Sequence, residues 1–177
     1  AGGLGNDVLW GDDKVTQVPG QFHGNDSLDG GDGDDTLIGG GLADVLTGGA
    51  GMDYLLGDVD SSDLAAQYQG ADTLDGGAGN DTLVGGGAGD SLSGGAGDDF
   101  IIGDDLNSDV AAATGMDTLE GGAGNDVLSG GGKSDTYIFN LGDGNDTVQD
   151  SNADGEVNRI VLNFTEQDIS FVKRVGL

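Results

Sequence analysis

The chain has 177 residues, of which 39 are glycine, and it holds only five phenylalanines, three tyrosines and one tryptophan, so a conventional globular core is disfavoured. The 33 acidic residues against five basic ones give a net charge of −28, which repels nucleic-acid phosphates and anionic membranes and attracts cations. Cysteine is absent and His23 is the one histidine, so any bound metal must be held by oxygen atoms.

The sequence carries no recognisable signal peptide, no lipidation motif and no apolar run of about 18 residues. We therefore expect no membrane insertion by this segment and expect any export signal to lie elsewhere. Because no secretion tail is recognisable before Leu177, we expect the chain to be a fragment of a longer protein.

A nine-residue unit recurs along the chain and is clearest in GGAGNDTLV, GGAGDDFII and GGAGNDVLS, which begin at residues 76, 94 and 121. Thirteen units can be aligned. Their sixth position is always aspartate: Asp7, Asp26, Asp35, Asp44, Asp53, Asp72, Asp81, Asp90, Asp99, Asp117, Asp126, Asp135 and Asp146. Their eighth position is always apolar: Leu9, Leu28, Leu37, Leu46, Leu55, Leu74, Leu83, Leu92, Ile101, Leu119, Leu128, Tyr137 and Val148. A flexible linker has no reason to keep these two columns.

Each unit divides into a glycine-rich turn of six residues and an extended segment of three. Glycines at positions one, two and four allow positive φ and close backbone approach, so several carbonyl oxygens can face one centre. The three extended residues point only the eighth position to one face, so all thirteen apolar residues can share one interior. The pattern predicts an all-β solenoid in which two units make one 18-residue coil and the coils stack as two parallel sheets.

Three irregular segments interrupt the repeat near residues 11–20, 57–66 and 103–111. They begin with a Gly-Asp pair, and their glycines are 46 residues apart: Gly11, Gly57 and Gly103. Each segment is nearly one unit long and is interpreted either as a degenerate half-coil that keeps the stacking in step or as a solvated inserted loop. The strings SSDLAAQY (61–68) and NSDVAAAT (107–114) suit a capped helical turn. Their carboxylates either bind further cations or face solvent: Asp13, Asp60, Asp63, Asp105 and Asp109.

Residues 151–177 differ from the repeats that fill residues 1–150. RIVLNF and DISFVKRV alternate like strands, and this segment holds three of the five basic residues. We expect a C-terminal capping β segment that closes the last coil, as repeat stacks require; the alternative is the start of another domain.

The nonapeptide resembles the RTX (repeats-in-toxin, haemolysin-type) repeat GGxGxDxUx, where U is a large apolar residue, over roughly residues 2–150. The resemblance implies a right-handed parallel β-roll with Ca²⁺ ions between turns two units apart, roughly one per stacked pair. Turn carbonyls and the sixth-position aspartates would hold the metal. Carried over to this chain, the implied metal site comprises the thirteen aspartates above and the glycines Gly30, Gly33, Gly48, Gly51, Gly76, Gly79, Gly94, Gly97, Gly121 and Gly124.

Departures from the pattern concern the fourth position. Leu42 and Lys133 replace the glycine there, which puts the sites of those two turns in doubt. Ala88 does the same, and we expect a local shift onto Gly87 or Gly89 to restore the backbone freedom of that turn.

Three functions are compatible with the sequence. The leading one is a calcium-binding module of a secreted bacterial protein, exported by type I secretion machinery, monomeric, and folding on calcium outside the cell as a structural spacer. The alternative is a ligand- or surface-binding module of an adhesin or of an extracellular polysaccharide-modifying enzyme. An independent hydrolase is disfavoured, because the aspartates are repeated equally rather than placed uniquely and His23 is predicted to be an ordinary turn residue.

Overall fold

The computed structural model describes residues 1–12, 23–59, 68–104, 114–150 and 157–164. These ranges form fifteen β-strands and contain no α-helix. Accordingly, no helix within them is long and apolar enough to cross a membrane.

The strands form two sheets. The eight-stranded sheet contains β1 (Gly3–Leu4), β3 (Ser27–Asp32), β5 (Val45–Ala50), β7 (Thr73–Ala78), β9 (Ser91–Ala96), β11 (Thr118–Ala123), β13 (Thr136–Asn140) and β15 (Arg159–Asn163). The seven-stranded sheet contains β2 (Val8–Trp10), β4 (Thr36–Gly40), β6 (Tyr54–Asp58), β8 (Thr82–Gly86), β10 (Phe100–Asp104), β12 (Val127–Ser129) and β14 (Thr147–Val148).

Successive strands alternate between the two sheets, and every strand pairs in parallel with the strand one coil away. Leu37, for example, aligns with Leu55 of the next coil 18 residues on. The parallel β-roll predicted from the sequence is therefore confirmed.

Most strands are longer than the three residues predicted per unit. The strands of the eight-stranded sheet from β3 to β11 have six residues, because they continue into the glycines of the following unit. Gly49, for instance, pairs with Gly77 and Ala50 with Ala78. Without side chains the glycine backbones approach closely enough to extend the ladder.

Ninth-position Ile38, Val84 and Ile102 are buried, but the interior of the roll consists mainly of eighth-position side chains, which both sheets contribute. Eleven are buried: Leu28, Leu37, Leu46, Leu55, Leu74, Leu83, Leu92, Ile101, Leu119, Leu128 and Tyr137. The other two lie on the two end strands of the described seven-stranded sheet: Leu9 is partly buried and Val148 is 39% exposed.

The insertions do not form half-coils. A half-coil between β2 and β3 would put both strands in one sheet, but β2 lies in the seven-stranded sheet and β3 in the eight-stranded sheet. Leu9 consequently aligns with Leu37, 28 residues on, so the coil is simply longer. The half-coil interpretation is wrong. The predicted helical turns and the five carboxylates named with them lie largely or wholly in residues 13–22, 60–67 and 105–113, outside the described ranges.

The last coil is extended by β15, which pairs with β13. Near it, the buried Tyr137 hydroxyl accepts a hydrogen bond from the Gly130 N–H at 2.7 Å and donates one to Asp150 Oδ2 at 2.8 Å. Asn158 also donates to Asp150. DISFVKRV lies outside the described residues, so the capping role of residues 151–177 stays a prediction.

Candidate metal sites at the two edges of the roll

Because successive strands alternate between the two sheets, successive turns and their aspartates lie at opposite edges of the roll. We call the turns that lead from the eight-stranded to the seven-stranded sheet the regular edge, and those that lead back the insertion edge. The regular edge carries Asp7, Asp35, Asp53, Asp81, Asp99, Asp126 and Asp146. The insertion edge carries Asp26, Asp44, Asp72, Asp90, Asp117 and Asp135. All ten implied metal-site glycines lie in units whose turns form the regular edge, whereas Leu42, Ala88 and Lys133 lie on the insertion edge.

Along each edge the aspartates form a hydrogen-bonded ladder. Apart from the first aspartate of each edge, Oδ1 of each aspartate accepts the backbone N–H of the aspartate one coil earlier; Asp81 Oδ1, for example, accepts from Asp53 at 2.8 Å. On the regular edge the donor–acceptor distances are 2.7–3.1 Å. On the insertion edge the same distances are 2.7–2.9 Å. At the end of that edge the Asp135 N–H donates to Asn158 Oδ1 instead of to an aspartate. The ladder fixes each carboxylate in one orientation.

The second carboxylate oxygen is left without a hydrogen-bond donor. In ten aspartates Oδ2 is buried and accepts no hydrogen bond: Asp7, Asp35, Asp44, Asp53, Asp72, Asp81, Asp90, Asp99, Asp117 and Asp126. Burying a charged oxygen without a partner is costly, and native structures avoid it unless a cation or proton compensates. Either a bound cation or protonation of the carboxyl can compensate the orphaned oxygens at the two edges.

At most of the first-position glycines a backbone carbonyl oxygen lies near the orphaned carboxylate oxygen. A Cβ on Gly76 would lie 2.5 Å from Asp81 Oδ2 and 2.6 Å from the Gly94 carbonyl oxygen, so both oxygens face the same point. The same Cβ–Oδ2 distance is 2.2–2.5 Å at Gly30, Gly48, Gly76, Gly94 and Gly121. Contrary to expectation, these glycines do not have positive φ, so close approach alone requires them.

Fourth-position glycines do adopt the left-handed region that glycine favours. Their φ angles are 130–156° at Gly33, Gly51, Gly79, Gly97 and Gly124. On the insertion edge Leu42, Ala88 and Lys133 adopt φ of 70–71° themselves. The expected shift onto Gly87 or Gly89 is therefore wrong, because Ala88 bears the left-handed conformation directly.

Backbone oxygens would have to complete any metal site. Among the described residues no three Asp, Glu, His or Cys side chains converge as a metal-binding group. Calcium accepts six to eight hard oxygen ligands, carboxylate and carbonyl alike, in a tolerant geometry, whereas magnesium demands a strict octahedron. The oxygen-only ligand set and the paired carboxylate and carbonyl oxygens fit calcium.

The carboxyls titrate far from their ordinary range. Burial raises the pKa of Asp90 to about 10, and repulsion from neighbouring aspartates adds to the rise. Burial likewise raises the pKa of Asp117 to about 8 and that of Asp44 to about 7. On the regular edge burial raises the pKa of Asp81 and Asp126 to about 6. Without a cation, the folded chain thus favours protonated carboxyls.

We predict that acid partly replaces calcium. With folded pKa values raised above the ordinary 3.8, the calcium-free fold holds protons that the unfolded chain releases, so its stability falls as pH rises from about 4 towards 8. Far-UV circular dichroism without calcium should show more β structure at about pH 4.5 than at about pH 7.5. The folded chain should bind calcium less tightly in acid, because the ion must displace protons, so added calcium should increase the β signal less at about pH 4.5 than at about pH 7.5. A calcium-free β signal that grows with pH would contradict this assignment.

Comparison with known proteins agrees with this geometry. The family model of the RTX calcium-binding nonapeptide repeat (4 copies) matches residues 1–13, 24–46, 30–62, 68–101, 84–106 and 111–148, which is more than half of the chain. A comparison with curated proteins found no match. With the repeat matched along both edges of a parallel β-roll, the chain belongs to the family of RTX calcium-binding nonapeptide repeat proteins.

Proposed function

We propose that the chain is a calcium-responsive folding and spacer module of a secreted protein, in which Ca²⁺ ions bind between successive turns. The observation that carries this proposal is the set of ten buried aspartate oxygens without hydrogen-bond donors. The ligands on the regular edge would be the Oδ2 atoms and the turn carbonyls of the glycine-rich units.

The physical argument is that the roll lacks other sources of stability. Ordering the nine residues of a unit costs backbone entropy, and most units bury only one large apolar side chain in return. One divalent ion for each of the eleven stacked pairs of turns would supply a charge of about +22 against the net −28 of the chain. Calcium binding therefore supplies free energy and relieves the repulsion between stacked carboxylates, which couples binding to folding.

Coupled folding suits export. A highly charged chain with a thin core stays unfolded at low calcium and can be threaded through a one-step secretion channel. At extracellular calcium the same chain folds into a rigid spacer, which opposes backward movement.

Asp81→Ala tests the ligand assignment. Asp81 is 2% exposed, and its Oδ2 has no donor. The substitution should raise the calcium concentration at the folding midpoint while leaving the saturated fold intact, because adjacent turns keep their ligands. Asp75→Ala is the matched control, since it removes the same charge from an exposed position of β7. Calcium titrations followed by circular dichroism measure both midpoints; equal midpoints for Asp81→Ala and Asp75→Ala would refute the ligand role of Asp81.

A further inference from the structure

Three buried or nearly buried aspartates lie outside the ladders. Asp58 and Asp104 are the last residues of β6 and β10, and Asp12 lies two residues after β2, so each stands at the end of a strand of the seven-stranded sheet just before an insertion. Asp58 is 1% exposed and Asp104 is 2% exposed. Neither the repeat nor the proposed calcium sites explain why a carboxylate occupies this position.

Each of the three carboxylates first bridges the base of its own insertion. Asp104 Oδ1 accepts the N–H of Gly115 at 2.7 Å, on the far side of the insertion. Asp58 accepts the N–H of Gly70 at 3.2 Å through Oδ2. Asp12 Oδ1 accepts from Gly24 at 3.1 Å, and its Oδ2 also lies 2.9 Å from His23 Nδ1.

The same carboxylates also reach the next coil. Oδ2 accepts the N–H of the third glycine of a GGG turn: Asp12 from Gly41 at 2.9 Å, Asp58 from Gly87 at 3.1 Å and Asp104 from Gly132 at 2.5 Å. Each aspartate thus joins three chain segments that lie 11 to 29 residues apart.

The turns that receive these carboxylates differ from those of the regular edge. On the regular edge the third residue stays in the ladder, as Ala78 does opposite Ala96. On the insertion edge the strand ends at the second glycine, and a Cβ on Gly86 would lie 2.6 Å from the Asp58 Cβ. The Asp58 side chain therefore packs directly against this turn, which is the one where Ala88 has φ of 70°.

We propose that Asp12, Asp58 and Asp104 are carboxylate clamps that close the base of each insertion and lock it to the turn of the following coil through peptide N–H groups. The clamp explains how a coil grows from 18 to 27 or 28 residues while its strands keep their register. GGG turns recur one coil after each insertion, at residues 39–41, 85–87 and 130–132, and the third glycine of each donates its N–H to the clamp. This inference goes beyond the calcium-dependent function, since the clamps act without a metal.

Amide hydrogen exchange measured by NMR at saturating calcium tests the clamp. In Asp58→Ala the amides of Gly70 and Gly87 should exchange about tenfold faster or more, because each loses its buried hydrogen-bond acceptor. The amides of Gly115 and Gly132, held by Asp104, should not change and serve as an internal control. The number of calcium ions bound per chain should stay the same.

If Asp58→Ala fails to fold, Asp12→Ala provides the same test at the first coil. The reporter amides are then those of Gly24 and Gly41, which donate to Asp12. Unchanged exchange at the reporter amides would overturn the clamp. The clamp would also be wrong if the variant bound fewer calcium ions while the reporter amides exchanged at the parent rate, because the aspartate would then be a metal ligand. A chain that folded without calcium would refute the proposed function while leaving the exchange test valid.

Discussion

Leu83→Ala should lower the free energy of unfolding by about 2–5 kcal/mol even when calcium saturates the chain. Leu83 is fully buried and lies in register between Leu55 and Ile101. The substitution leaves every turn intact but opens a cavity in the core, and neighbouring coils cannot move to fill it without breaking the strand ladders that hold them in register.

Urea denaturation at saturating calcium measures this loss. Val45→Ala is the control, since Val45 is an outward residue that is 47% exposed and should cost far less. If Leu83→Ala and Val45→Ala unfold at the same urea concentration as the parent chain, the eighth-position column is not the core.

Gly79→Ala should lower the free energy of unfolding by more than backbone strain alone explains. Gly79 has φ of 143°, and a Cβ there would lie 1.7 Å from the Gly51 carbonyl oxygen of the adjacent coil. Strain from the left-handed region costs about 1–3 kcal/mol. The overlap with the backbone adds to this, because relief requires two coils to move apart.

Gly142→Ala separates the two causes. Gly142 has φ of 100°, but a Cβ there would meet nothing within 4 Å, so only the strain should remain. Calcium-saturated urea melts should therefore rank the chains parent, Gly142→Ala, Gly79→Ala in decreasing stability. Equal losses for the two variants would show that close packing between coils does not require glycine at Gly79.

The two columns of the repeat were sufficient to predict the architecture. An aspartate followed two residues later by an apolar residue, thirteen times, defines turn and core positions without any knowledge of pairing. The strand lengths could not be derived in this way, because glycines such as Gly49 and Gly77 carry no side-chain signal that separates a turn from a closely packed ladder.

The contacts between coils were the other feature that the sequence did not reveal. The Oδ1 ladder joins residues such as Asp44 and Asp72, whose separation depends on whether an insertion adds a strand. The 46-residue spacing of Gly11, Gly57 and Gly103 was visible, but it fits half-coils and loops equally well. Only the sheet order distinguishes these alternatives and places Asp58 against Gly87.

The central claim is that calcium binding and folding are one event, and circular dichroism of the whole chain at about pH 7.5 tests it most directly. In chelator the chain should lack β signal, and millimolar calcium should restore it cooperatively, while equal magnesium restores little. A native-like β signal that chelator leaves unchanged would contradict the account.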